Sequence, residues 1–192
     1  MAAYARAVAL EPTIRTSIVH TWFLQRDNKR VASTKLDDNP YIVALSLAEM
    51  GRGNEAVAAL RNLEEKIKTR MRDFMTAART MIEGDSEGSI AAVGRILNSA
   101  FSDPEGLLYL TRHLAHLTQV DAALELFERV VGGGIFCYPA MSNDPWLDPV
   151  RPRPEFVRLL QTADQRHQVA VREFARLDGN RILCISSRAS TV

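Results

Sequence analysis

The sequence predicts an all-α fold of paired helices, and three observations predict it. Alanine is the commonest residue and clusters with leucine at helical spacing. Long runs of valine, isoleucine and threonine, of the kind that strands need, are missing. Glycine and proline fall between periodic segments rather than inside them, so they punctuate helices. With 192 residues, 46% apolar and 24% charged, the chain suits one ordinary domain or a short array of repeats.

Lysine plus arginine come to 24 and aspartate plus glutamate to 23, a net charge of +1. That balance gives no general electrostatic case for nucleic acid or an anionic membrane. No apolar run approaches the roughly 18 residues of a membrane span. The opening residues Met1 to Arg6 lack the basic region and apolar core of a signal peptide. Two cysteines, Cys137 and Cys184, are too few for a disulfide framework. The expectation is a soluble, cytoplasmic protein.

Self-similarity sharpens the fold class. Glu55-Ala56-Val57-Ala58-Ala59-Leu60 aligns with Gly88-Ser89-Ile90-Ala91-Ala92-Val93 and with Ala122-Ala123-Leu124-Glu125-Leu126-Phe127. In each, a small residue (Ala56, Ser89, Ala123) precedes a large apolar one by four, and a further apolar residue (Leu63, Ile96, Val130) follows three later. The small residues are 33 and 34 apart. A small residue lets two antiparallel helices approach closely, and the large one fills the gap to the next unit. A turn precedes each of these helices, at 51–54, 84–87 and 118–121.

Taken in order, a helix over 13–25 carries Ile14, Ile18, Val19, Trp22 and Phe23, and its partner over 28–36 is short. Tyr4 to Leu60 spans 56 residues, where two full units need about 68. One unit is therefore cut by about a third, or the chain bends there. Helices follow at 39–50, 53–68, 70–83, 86–99, 104–117 and 120–131. Asp103-Pro104-Glu105 is a helix start with an N-cap, a proline at the first helical position and an acid in the first turn. Gly132-Gly133-Gly134 is a helix stop. A long helix opens near Pro154, with Phe156, Leu159, Leu160, Ala163, Phe174 and Leu177 along one face. Residues 1–178 thus read as a single array. Partial units lie over 1–36, three clearer units over 37–131, an irregular connection over 132–153 and a capping helix over 154–178. A ragged tail takes 179–192.

The period and the small-to-large spacing resemble the tetratricopeptide repeat, a helix-turn-helix unit of about 34 residues. The resemblance implies a right-handed helical solenoid. Tyr4, Ala7 and Pro12 match the end of such a repeat, whose small residue would precede Met1. The chain is therefore expected to open inside a repeat, as a piece of a longer protein or with a misplaced start. The repeats are followed by Phe136-Cys137-Tyr138-Pro139, then Asp144-Pro145-Trp146-Leu147-Asp148-Pro149, then Pro154-Glu155-Phe156. That order is similar to the C-terminal repeat region of bacterial multidomain signalling regulators. In those, a serine/threonine kinase, cyclase-like or winged-helix domain precedes the repeats. Relatives commonly carry Gly-Asp before the Pro-Glu-Phe. Here Pro152-Arg153 stands there, so the last helix is expected to lack an acidic N-cap. The chain has no glycine-rich phosphate loop with a following lysine, no His-Arg-Asp and no Asp-Phe-Gly. Any catalytic domain is expected outside these residues.

Candidate chemistry is sparse. His113 and His116 form a His-x2-His, but zinc needs three or four ligands, so the histidines are expected to be structural or solvent-facing. Cys137 has no marked base or orienting residue and is expected to be a small buried apolar group. The triple glycine follows a helix rather than a strand and is no phosphate cradle. The basic stretch Arg61, Lys66, Lys68, Arg70, Arg72 and Arg79 is expected to be a solvated helix corner. Trp22 and Trp146 are expected to pack. No catalytic, cofactor-binding or metal-binding residue is predicted.

The remaining candidate is a groove. In tetratricopeptide arrays the first helices of each unit line a concave, peptide-binding surface. That register places Val19, Phe23, Tyr41, Leu45, Phe74, Ala78, Met81, Leu108 and Arg112 on it. The set is mostly apolar, so either it binds a hydrophobic segment or helix, or it packs the superhelix beneath the C-terminal cap. The lysine/asparagine clamp of chaperone-binding relatives is not apparent. The function expected is a non-catalytic interaction or scaffold module for a protein or peptide partner, with Arg112 as a polar anchor. The alternative is a self-association module that brings attached catalytic domains together.

Overall fold

The computed structural model describes residues 2–14, 17–69 and 71–183. The architecture is all-α, and among the described residues there is no strand. The helices are α1 (Ala2–Leu10), α2 (Ile18–Leu24), α3 (Asn28–Ala32), α4 (Pro40–Glu49), α5 (Gly53–Lys66), α6 (Met71–Ile82) and α7 (Ser86–Asn98). They continue with α8 (Pro104–His116), α9 (Val120–Gly132), α10 (Tyr138–Asn143), α11 (Pro154–Arg176) and α12 (Gly179–Ile182). Two 3-10 turns, Leu36–Asp38 and Pro145–Val150, complete the set. No described helix is long and apolar enough to cross a membrane.

Three hairpins, α4/α5, α6/α7 and α8/α9, form the body, and each has the same three-residue loop. The middle residue is left-handed: Gly51 (φ 78°), Gly84 (φ 82°) and Thr118 (φ 59°), spaced 33 and 34 residues apart. The next amide donates back five residues: Arg52 N–H to the Leu47 carbonyl (2.9 Å), Asp85 to Thr80 (2.8 Å) and Gln119 to Leu114 (2.9 Å). This left-handed stop satisfies carbonyls that a helix end would otherwise leave unpaired. Arg26 (φ 60°) repeats the loop between α2 and α3, with the Asp27 amide on the Trp22 carbonyl at 2.9 Å. It precedes Gly51 by only 25 residues. The shortfall lies in α3, which has five residues before the chain turns.

The small residues of the repeated motif, Ala56, Ser89 and Ala123, are fully buried at the hairpin seams, with Leu60, Val93 and Phe127 packed beside them. The helix predicted over 13–25 starts only at Ile18, and the partner predicted over 28–36 is a five-residue helix followed by a turn. The connection expected to be irregular over 132–153 contains α10 and the second 3-10 turn. Arg153 caps α11 without a side-chain bond. Only the first half of α11 is seated. Phe156 and Ala163 are buried, whereas Val169, Val171, Phe174 and Leu177 are exposed. The expected tail begins with α12, and Cys184 lies outside the described residues.

Two interior interactions tie the hairpins together. The first is a hydrogen-bond relay through His113. Tyr41 Oη donates to His113 Nδ1 (2.9 Å), His113 Nε2 donates to Ser89 Oγ (2.7 Å), and Ser89 donates to the Ala77 carbonyl (2.8 Å). Because Ser89 spends its proton on Ala77, the imidazole is neutral with the proton on Nε2. One side chain thereby joins α4, α6, α7 and α8. The second is Arg112, whose guanidinium lies between the rings of Phe23 (4.6 Å) and Trp146 (4.3 Å). Its Nε donates to Asp144 Oδ2 at 2.5 Å. Arg112 therefore connects α2, α8 and the segment leading into the second 3-10 turn.

A β-carbon at position 84 would meet nothing within 4 Å, so Gly84→Ala tests backbone strain alone. It should cost about 1 kcal/mol in urea unfolding, and Thr118→Gly should gain about 0.5–1 kcal/mol, the opposite sign. Asp144→Asn keeps an acceptor for the Trp146 amide but strands the buried Arg112 charge. We expect about 3 kcal/mol of destabilisation, and a loss under 1 kcal/mol would show that the rings alone hold the cation.

Candidate functional site

The residues projected onto a groove do gather on one side of the hairpins. Tyr41 meets Phe74 edge-on at 5.6 Å, and Phe23 meets Tyr109 edge-on at 5.5 Å. They are covered, however. Val19, Phe23, Tyr41, Leu45, Phe74, Ala78, Leu108 and Arg112 are buried, and Met81 is half-buried. The cover is α2 on one side and the Asp144–Val150 segment on the other, where Trp146 stacks on His116 at 4.3 Å. Arg112, expected as a polar anchor for a partner, is 4% exposed and is consumed by Asp144 and two rings. A cation in that position is an internal tie, because desolvation forces it to take its partners from within the chain.

What stays open is a cleft of about 290 Å³ at the N-terminal ends of α4, α6 and α8. It exists because α8 does not press against α6 or α7 as the partners within each hairpin press together. Long side chains span the gap instead: Tyr41 to Tyr109 (6.4 Å between rings) and Phe74 to Phe101 (5.3 Å). The floor is Ile42, Phe74, Phe101 and Tyr109, with Met71 half out in solvent. Gly106 is needed at one wall, since a β-carbon there would overlap the Phe101 ring.

The rim is acidic. Asp38, Asp103 and Glu105 line it, with no lysine or arginine among the described lining residues. Asp103 caps α8 by accepting from the Gly106 amide at 2.7 Å. Glu105 Oε1 accepts from Tyr109 Oη (2.6 Å) and from His20 Nδ1 (2.9 Å). His20 Nε2 faces Asn39 Oδ1 at 3.0 Å. With acceptors at both nitrogens, the imidazolium form is favoured. The Glu105 hydrogen bond raises the His20 pKa against the opposing effect of burial, and the same bond lowers that of Glu105.

The other sequence candidates fall elsewhere. His113 is buried in its relay, and His116 lies on Trp146. Cys137, expected to be buried, is exposed, because it stands at the N-cap of α10 outside the packed faces. Arg61 and Arg79 pair with Glu83, and Arg79 also pairs with Glu64 at 2.9 Å. Two of the arginines are thus charge-paired, and Arg70 lies outside the described residues. Among the described residues no group of three or more histidine, cysteine, aspartate or glutamate side chains is arranged for a metal ion.

Sequence reasoning identified Tyr41 and Phe74 but missed His20, Asn39, Phe101 and Tyr109. His20 and Glu105 are 85 positions apart and sit in no shared motif. The one local signal was the Asp103-Pro104-Glu105 helix start. Compared with protein families, curated proteins and solved structures, the chain matches none. The class that the fold defines is therefore an all-α protein of helical hairpins.

Burial pushes the His113 pKa down to about 3, helped by the neighbouring His116 and Arg112 charges. The unfolded chain binds this proton near pH 6.5 and the folded chain does not, so the contribution is complete above pH 6.5 and is lost as pH falls towards 3. His116, also lowered, acts in the same direction, and so does Glu105 at lower pH. His20, raised, acts in the opposite sense and gives up its contribution as pH rises through its folded value. Between pH 6.5 and 5 the wild type should lose about 2 kcal/mol through His113, at about 1.4 kcal/mol per pH unit. Urea unfolding of His113→Phe at the same two pH values should give a slope shallower by that amount. Equal slopes would mean that His113 is not held neutral.

Proposed function

We propose that the chain is a non-catalytic protein-interaction module of the tetratricopeptide type, and that a partner segment docks in the cleft between α4, α6 and α8. The observation that carries this reading is the cleft itself. An apolar cleft with half-buried Phe101 and exposed Met71 at its mouth opens beside an interior where the projected groove residues are covered. The three like loops at 33- and 34-residue spacing support the repeat assignment. In this reading the rim carboxylates and the His20–Glu105 pair are the polar anchors. The module would serve as the regulatory or scaffolding part of a larger bacterial signalling protein.

The test is a photo-crosslinking amino acid at Met71, on the exposed lip, in the cell of origin. A discrete protein adduct is expected there and not with the same group at Ala58, an exposed position on α5 outside the cleft. Identical adduct patterns at both positions would sink the docking assignment. The distal half of α11, where Val169, Val171 and Leu177 stand in solvent, favours a second reading as a self-association module. Light scattering at two concentrations separates them: a mass that rises towards a dimer supports self-association, and a constant monomer mass removes it.

A further inference from the structure

The cleft has a chemical polarity that a hydrophobic groove does not need. Resting on the reading of the cleft as a docking place, we infer that its occupant is an arginine side chain flanked by an apolar residue, presented by an extended segment of a partner protein. Aromatic faces attract a cation, and a planar guanidinium stacks on them while forking onto carboxylates. Half-buried Phe101 supplies the accessible ring, beside the covered rings of Phe74 and Tyr109, and Asp38 and Asp103 supply the charge, with Glu105 shared with His20.

Two of the three charges are unpaired among the described residues. His20 occupies one oxygen of Glu105, and the Gly106 amide occupies one oxygen of Asp103. Neither Asp38 nor Asp103 is ion-paired with a basic side chain among the described residues. An acidic segment is excluded by repulsion, and a purely apolar one would desolvate the rim carboxylates without compensation. The volume of about 290 Å³ suits one long side chain and its neighbour rather than a folded surface. The molecule already uses this chemistry one helical turn further along α8. There Arg112 lies between two rings and against Asp144.

The probe is an acetylated, amidated Gly-Leu-Arg-Leu-Gly peptide, with a twin carrying uncharged, isosteric citrulline in place of arginine. Both are titrated into the full chain with 15N-resolved amide shifts as the readout. The expected result is at least tenfold tighter binding of the arginine peptide, with shifts centred on the amides of Phe74, Phe101 and Tyr109. Asp38→Asn and Glu105→Gln should each weaken it at least threefold. Asp38→Asn leaves the His20–Glu105 pair intact, so it keeps the test sound if Glu105→Gln loosens α2. Glu128→Gln, on the exposed side of α9, should change nothing. Equal binding of the citrulline twin overturns the cation assignment and leaves the docking reading standing. Shifts that map outside the cleft, or no binding of either peptide at millimolar concentration, also overturn it. The crosslink at Met71 then decides the docking reading separately. A dimer that dissociates on Asp38→Asn would put a second copy in the cleft and overturn it too.

Discussion

The fold turns on one buried cation. Arg112 sits in the middle of α8, where every residue from Gly106 to Ala115 is buried. A guanidinium in that setting must find its counter-charge and its contacts inside the molecule. It finds them in Asp144, Phe23 and Trp146, which come from opposite ends of the described chain. Countering that one charge therefore obliges α2 and the segment before α11 to close over the same helix. Asp144 is fixed in turn, since its other oxygen accepts from the Trp146 amide at 2.9 Å.

That closure decides which part of the inner side can meet a partner. A five-residue α3 leaves α2 short of a full repeat, and α2 reaches across α4 to α8 through His20 and Phe23. The covered residues then behave as core: apolar, close-packed and inaccessible. Closure fails at the helix N-termini, where the third hairpin stands off. Aromatic side chains and the His113 relay bridge the gap deeper in, and the cleft is what they leave at the mouth.

Much of the secondary structure was legible, because it depends on neighbours in sequence. The hairpin loops were marked by Gly51 and Gly84, and the start of α8 by Asp103-Pro104-Glu105. Thr118 was harder, since a β-branched residue is an unlikely occupant of a left-handed loop. The stripe along α11 is visible in the sequence, but the pattern cannot tell which half of such a stripe finds a partner. In the repeat pattern Ser89 counts only as a small residue. Its hydroxyl mattered only once His113, on another hairpin, came within 2.7 Å.

The sequence by itself determined the helices, their pairing into hairpins, their loops and the spacing of small and large residues across each seam. Those follow from backbone stereochemistry and from contacts a few residues to a few tens of residues apart. Tertiary structure alone decided that Arg112 is a tie rather than an anchor, that most of the projected groove is interior, and that His20 meets Glu105. Those outcomes hang on how far α2 bends over α8 and how far the third hairpin stands off. Both are set by long-range packing and by the cost of leaving a buried charge unpaired, which no local pattern encodes.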